Sequence, residues 1–365
     1  MQLIYFSAVP WASFRQRPHE FAEWAHRRLQ ARVLWVEPYP VRLPALHDLS
    51  RPAARMPEAA PLPAWLQLLR PRAFPLEPFA AGRALNAAIA WPPALKAMRA
   101  FASQDAQTVI AVGKPSHLAL STMQTLGLPS LYDAMDDFPA FHRGAARWAS
   151  ERIEREIVRL AQACSTSSTY LAKRLSGAGA RVEVVPNGLA AQRMPPAQRV
   201  DGGGPFGYVG TIGPWFDWDW VAQLARSWPQ RPVHLHGPVY RKPTIALPAN
   251  ISLLPALPHP EALRTMGTFA AGLIPFSRTE LTESVDPVKY YEYRALGLPV
   301  ISTAFGEMRG HAQDARVLLT DEPSGARASI EALLAGADTA ESVTAFRDAN
   351  DWSARFEPLA SILRP

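Results

Sequence analysis

Short apolar runs alternate with helix-period segments along this chain, and the alternation occurs twice. Leu3-Ile4-Tyr5-Phe6 reads as a strand and Ser7 to Pro18 as a loop. His19 to Gln30 follows as a helix, with Phe21, Trp24, Ala25 and Leu29 on one stripe. Val33 to Glu37 is the second strand, which makes a βαβ start and favours a parallel sheet. The same pattern continues through strands at Thr108–Gly113, Ser130–Asp133, Cys164–Ser167 and Val182–Val185, with helices from about Ser116, over Ala145–Ala163 and over Ser168–Leu175. Residues 38–95 interrupt it, being rich in Pro and Ala and without clear periodicity. Pro186-Asn187-Gly188 is a turn signal that closes the first half.

After the Gly-rich break Asp201-Gly202-Gly203-Gly204 the pattern starts again. Strands are expected at Phe206–Gly210, Pro232–Gly237, Ile251–Leu254, Phe269–Pro275, Val300–Thr303 and Val317–Leu319. Helices are expected at Trp218–Trp228, Pro260–Gly267 and 324–335. The fold class is therefore α/β, as two tandem Rossmann-like domains with doubly wound parallel sheets. The expected boundaries are 1–188, 201–345, and a C-terminal helix over 346–365 that packs back on the first domain. Ligand sites in such sheets lie at the carboxyl ends of the strands.

Composition narrows the class. The chain has 365 residues, 48% of them hydrophobic, which suits a globular protein with two cores. A single cysteine, Cys164, excludes an intramolecular disulfide framework and fits a reducing compartment. Met1-Gln2-Leu3-Ile4-Tyr5-Phe6 lacks the charged segment of a signal peptide, and no run of about 18 apolar residues is present. Charge is unevenly placed. Residues 1–200 hold 24 Lys/Arg against 14 Asp/Glu, or +10, and residues 201–365 hold 14 against 18, or −4. A basic first half points to an anionic partner, or to an Arg-favouring genome. Trp65 to Arg72 adds apolar bulk with basic flanks, as either a membrane-facing patch or a helix packed on the core.

The richest stretch for chemistry is Ile274 to Thr303. Asp286 is an expected N-cap, Pro287 the first helical position, and Gly297 with Pro299 the stop. The helix Val288–Leu296 would bring Lys289, Glu292 and Tyr293 to neighbouring positions near its positive end. Lys289 could meet a phosphate and Glu292 a sugar hydroxyl; the alternative is a plain Lys289–Glu292 ion pair. In the first half, Asp133, Asp136 and Asp137 follow a strand, and mutual repulsion would raise a carboxyl for general-base work. Asp136 is the first candidate and Asp137 the second; a cap on the following helix is the alternative role. Arg17 and His19 lie in the first loop, where either could touch substrate or simply begin the helix. His234 and His236 share a strand face, but with no third ligand nearby no metal site is expected.

Five segments together resemble the GT-B glycosyltransferases, especially the family 4-like bacterial enzymes of surface polysaccharide assembly. They are Gln16-Arg17-Pro18-His19, Tyr132 to Asp137, Val185-Pro186-Asn187-Gly188, Pro275 to Thr303, and Gly207 to Asp217, which is similar to that family's glycine loop. The resemblance covers the chain in order. It implies two Rossmann-like domains facing a cleft, a nucleotide-sugar donor on the second, an acceptor on the first, and no required metal or cofactor. It implies donor contacts from Gly210, Thr211, Gly213, Ser284, Val288, Lys289, Glu292 and Tyr293, the nucleotide being UDP or GDP. It places Arg17 and His19 at the acceptor or cleft. The sequence departs from the family in two ways. The usual first glutamate of a pair eight positions apart is Ser284, and Thr211 to Phe216 carries no cation. A similar Pro-Val-Lys arrangement occurs in membrane-associated glucuronosyltransferases of exopolysaccharide assembly, which invert. The base is then expected at Asp136.

The expected activity is thus sugar transfer from a nucleotide sugar to a lipid-linked or polysaccharide acceptor. The expected location is cytoplasmic and peripheral, on an anionic membrane surface reached through the basic first half. Two rivals remain: a nucleotide-sugar epimerase of the same fold, and a basic nucleic-acid-binding protein. The second is disfavoured because aromatic residues do not interleave with the basic clusters.

Overall fold

The computed structural model describes residues 1–41, 61–105, 107–177, 179–196 and 203–364. The chain divides into two compact units, Met1–Val185 with Phe356–Pro365, and Pro186–Arg355. The terminal ten residues thus belong to the first unit, while the second runs on to Arg355. Of the Gly-rich break, Asp201 and Gly202 lie outside the described residues.

Among its described residues the first unit holds seven strands: β1 (Gln2–Phe6), β2 (Arg32–Val36), β3 (Leu66–Leu69), β4 (Thr108–Val112), β5 (Ser130–Ala134), β6 (Ala163–Thr166) and β7 (Val182–Val184). Their order is β3-β2-β1-β4-β5-β6-β7, and every pairing is parallel. The central strands read as unbroken apolar runs because both faces of such a sheet are covered; β1, β4 and β5 are buried at every residue. Helices Arg17–Leu29, His117–Leu126, Gly144–Leu160 and Thr169–Ser176 supply most of that cover. Ser116 and Ser168 cap two of them, each accepting from the backbone N–H three residues on.

The stretch Trp65–Arg72 is an edge strand and not a helix. Leu66–Leu69 pairs with Val33–Val36, and the Trp65 ring stacks on His26 at 4.8 Å. The Pro- and Ala-rich flanks hid it, since a strand of four residues set between Pro63 and Pro71 gives too short a period to read. At the far end of the chain, the Phe356 ring meets Phe21 edge-on at 5.3 Å and lies 5.7 Å from Trp24, all three being buried.

The second unit holds β8 (Phe206–Val209), β9 (Val233–His236), β10 (Ile251–Leu254), β11 (Ala271–Ile274), β12 (Val300–Ser302) and β13 (Val317–Leu319). Their order is β10-β9-β8-β11-β12-β13, again wholly parallel. In both sheets the strand order reverses beside the first strand of the unit, the switch point where doubly wound folds bind ligands.

The helix Val288–Ala295 packs on this second sheet through Tyr293, which is fully buried. Its ring fits only because β11 has glycine beneath it: a Cβ on Gly272 would lie 2.3 Å from Tyr293 Cδ2. Overpacking of this kind costs about 1–3 kcal/mol, or several degrees in a domain of this size. Gly272→Val is therefore expected to lower the melting temperature of the second unit by that amount in differential scanning calorimetry. Gly310→Ala, where a Cβ meets open space, is expected to leave it unchanged.

Candidate functional site

In the second unit the site is built at the foot of the helix Val288–Ala295. Its N-cap is Pro287, and Asp286 does not cap it as expected. Instead the Asp286 carboxylate is buried and accepts from the Asn187 backbone N–H (2.6 Å) and from the Tyr291 hydroxyl (3.1 and 3.0 Å). The Asn187 side-chain amide returns a bond to the Asp286 carbonyl at 2.7 Å. A buried acceptor with two good donors outcompetes a solvent-side cap. Burial pushes this carboxyl up to about 7, with the Asn187 and Tyr291 bonds opposing. The segment Pro186-Asn187-Gly188 is thereby fastened to the helix start, a contact that spacing along the chain does not reveal.

Lys289 lies over two aromatic rings, its Nζ 5.2 Å from the centre of Tyr208 and 5.7 Å from Phe276. Gly210 has φ +145° and lies against the lysine; a Cβ there would fall 2.6 Å from Lys289 Cε. Only glycine suits both demands. Burial lowers the Lys289 pKa, and Glu292 opposes that shift. Glu292, three residues on, is not paired to Lys289 by hydrogen bond: its Oε1 meets Nε2 of His259 at 2.8 Å. His259 escaped the sequence reading, since 33 residues separate it from Glu292 and its only local signal is a Pro258-His259-Pro260 helix start.

The remaining donor candidates divide. Gly210, Lys289 and Glu292 come together, and Val288 supplies the first helical N–H, which has no intrahelical partner. The Thr211 carbonyl accepts from the Tyr208 hydroxyl at 2.8 Å, which pins the glycine loop. Gly213 is buried beneath the Trp215 ring. Ser284 is buried too, and its Oγ donates to the Leu281 carbonyl of its own turn. Tyr293 faces the sheet, with its hydroxyl 3.3 Å from the Val209 N–H, so it does not share the outer face with Lys289 and Glu292.

In the first unit, Arg17 and Asp133 form a buried bidentate pair. Arg17 Nη2 lies 2.7 Å from Oδ1, Nε is 3.2 Å from both oxygens, and Ser165 Oγ donates to Oδ1 at 2.7 Å. Arg17 Nη1 also donates to the Val185 carbonyl at 2.8 Å. Asp133 is thus committed to structure, and neither it nor Arg17 is exposed by more than 2%. His19 is equally buried. Its Nδ1 accepts from the Gln16 N–H and its Nε2 donates to the Trp11 carbonyl at 3.1 Å, between the rings of Trp11 and Trp35. Burial lowers its pKa to about 4, so it stays neutral and pins the first loop.

Asp136 and Asp137 differ. Asp137 is buried, accepts from the Ala140 N–H as the cap of the turn Phe138–Phe141, and lies 3.7 Å from Arg174. Asp136 is partly exposed, and its carboxyl is raised to about 7. Burial is the largest cause; Arg17 pulls it down and Asp137 pushes it up. Desolvation, not the mutual repulsion expected from the Asp cluster, sets this value. A cavity of about 250 Å³ adjoins Asp137, lined also by Arg147, Glu151, Glu154, Arg155 and Arg174. Among the described residues no group of three or more His, Cys, Asp or Glu could hold a metal ion, and no helix is long and apolar enough to cross a membrane.

The raised Asp136 pKa makes the stability of the first unit depend on pH. The unfolded carboxyl ionises near ~4 and the folded one near about 7, so the unfolded state loses its proton first. The stability of the first unit should fall as pH rises from about 4 through about 7 on account of this group. Asp136→Asn is expected to raise the melting temperature at pH 8 and to leave it unchanged at pH 4. Thermal unfolding at the two pH values measures the difference.

No protein-family model matches the chain. Over 198 residues it is 27% identical to TuaH of Bacillus subtilis (strain 168), provisionally described as a teichuronic acid biosynthesis glycosyltransferase. That match takes in 47% of this chain and 50% of TuaH, so the chain spans half the length of this curated relative. Among solved structures, sucrose-phosphate synthase from Thermosynechococcus elongatus superposes with a TM-score of 0.66 at 14% identity, over 100% of this chain and 98% of that one. Anabaena HepE in complex with UDP superposes with a TM-score of 0.61 at 13% identity, over 100% of both chains. HepE in complex with UDP-glucose gives 0.63 at 12% identity, over 100% of this chain and 99% of that one. Two parallel α/β units in this order, with these structural neighbours, give the chain the GT-B fold.

Proposed function

We propose that this chain is a glycosyltransferase that moves a sugar from a nucleoside-diphosphate sugar to a lipid-linked or polysaccharide acceptor in cell-surface polysaccharide assembly. The observation that carries the reading is the triad of Gly210, Lys289 and Glu292 at one helix foot. The bare Gly210 lets Lys289 lie against the glycine loop, Lys289 meets the charge of a diphosphate, and the helix start adds its dipole. The Glu292 carboxylate accepts from the ribose. As the bond from the anomeric carbon to the diphosphate breaks, negative charge grows on the leaving group, where fixed positive groups act most strongly. With Lys289 in that role, a divalent cation is not required. TuaH's description and the UDP and UDP-glucose held by HepE favour a uridine nucleotide and a surface-polymer product.

Asp136 is the base in this proposal, with Asp137 as the alternate. It takes the proton from the acceptor hydroxyl while that oxygen bonds the anomeric carbon and the nucleoside diphosphate departs, with inversion. A carboxyl near about 7 combines an ionised fraction at neutral pH with real basicity. The acceptor is a polyprenyl-diphosphate-linked saccharide, and the +10 balance of residues 1–200 draws the protein to the anionic inner face of the membrane.

A thermal-shift screen of UDP, GDP and their sugars is expected to show stabilisation by one nucleotide family, since a ligand of the native state raises the melting temperature. Lys289→Met is expected to weaken that binding at least tenfold. Asp136→Asn should bind the nucleotide normally and lose about 10²–10⁴-fold in transfer to a polyprenyl-linked saccharide. Full turnover by Asp136→Asn would remove the base assignment. Conversion of the nucleotide sugar without any acceptor would favour an epimerase instead. Flotation with anionic liposomes at low salt checks the membrane part.

A further inference from the structure

Glu292 has a fixed neighbour, His259, that takes no part in the proposed reaction. Its side chain is 13% exposed, and Oε1 lies 2.8 Å from Nε2 of His259. His259 is the first residue of the helix His259–Met266, which follows β10, and its own side chain is 41% exposed. Prolines stand on both sides of it, Pro258 as the N-cap and Pro260 in the first turn. Each locks its own φ, so the imidazole projects from a stiff piece of backbone. Glu292 is held as firmly, because the next residue, Tyr293, is locked over Gly272. The contact therefore joins two rigid elements through short side chains, the construction that keeps a recognition group in one geometry.

The chemistry of the pair is directional. A carboxylate is acceptor-only, so His259 must donate through Nε2–H. That bond occupies Oε1 from one side and fixes the carboxylate plane. Oε2 takes no hydrogen bond from the described residues. The acceptor lone pairs that remain suit a group bearing two adjacent hydroxyls, one helical turn from the cation Lys289. A vicinal diol next to a phosphate is the ribose of a nucleoside diphosphate.

We propose that His259 is a positioning residue for ribose recognition: it holds the Glu292 carboxylate in the orientation that accepts both ribose hydroxyls, and so makes the site selective for ribonucleotides. The proposal rests on the reading of Lys289 and Glu292 as the donor site. It assigns His259 no contact with the sugar being transferred and no proton in the reaction.

Isothermal titration of the full chain with UDP and with 2′,3′-dideoxy-UDP tests it. Wild type is expected to bind UDP at least tenfold more tightly, the order of a hydrogen bond to a charged group. His259→Phe should weaken UDP about tenfold and leave dideoxy-UDP unchanged, which collapses the preference. His259→Gln, whose amide can still donate, should restore most of it. Lys289→Met should weaken both nucleotides alike, as a phosphate contact must. Equal losses for UDP and dideoxy-UDP in His259→Phe would mean a structural role only and would overturn the proposal, as would an unchanged UDP affinity. A wild-type chain that binds no nucleoside diphosphate would overturn the donor-site reading itself, whereas nucleotide binding with no ribose preference overturns only the part played by Glu292 and His259.

Discussion

The first unit depends on one guanidinium. Arg17 spends its fork on the Asp133 carboxylate at the end of β5 and on the Val185 carbonyl beyond β7, and its carbon lies 5.3 Å from the centre of the Phe356 ring. Segments distant in sequence are thus tied at one buried point. A buried ion pair gives little net stability when complete but is costly to break, because the partner is left charged and dry. Its worth lies in placement. It fixes the carboxyl end of β5, and its charge opposes the burial that raises the pKa of Asp136, three residues beyond its own partner.

The architecture was legible in the sequence because parallel strands buried on both faces must be apolar throughout. Leu3–Phe6, Val109–Val112 and Phe206–Val209 obey that constraint, and the helices between them carry their stripes and serine caps. β3 was not legible: Leu66–Leu69 is an edge strand set among prolines, with one face open to solvent. Lys289 and Gly210 could be named from local pattern, since a lysine in the first turn of a helix and a glycine after a strand each imply a close approach.

The rest of the site was set by contacts that linear spacing does not encode. Asp286 before Pro287 satisfies every local preference for an N-cap, yet Asn187, 99 residues earlier, and the Tyr291 hydroxyl compete for it and win. His259 reaches Glu292 from another helix. Asp133, Asp136 and Asp137 look alike in the sequence and differ only in what surrounds them: an arginine, a partly open surface, and a backbone cap. Residue type suggested the chemistry, and burial distributed the roles.

Phe356, packed on Phe21 and Trp24, gives the chain an unusual thread. The polypeptide leaves the first unit after Val185 and returns to it at Phe356, so the second unit is in effect an insertion with two covalent joints. Exchanging second units between chains threaded in this way would therefore need two splice points. A chimera joined only at Val185 would carry a foreign C-terminal aromatic into the pocket of Phe21 and Trp24, and its first unit would inherit a seam in its own core.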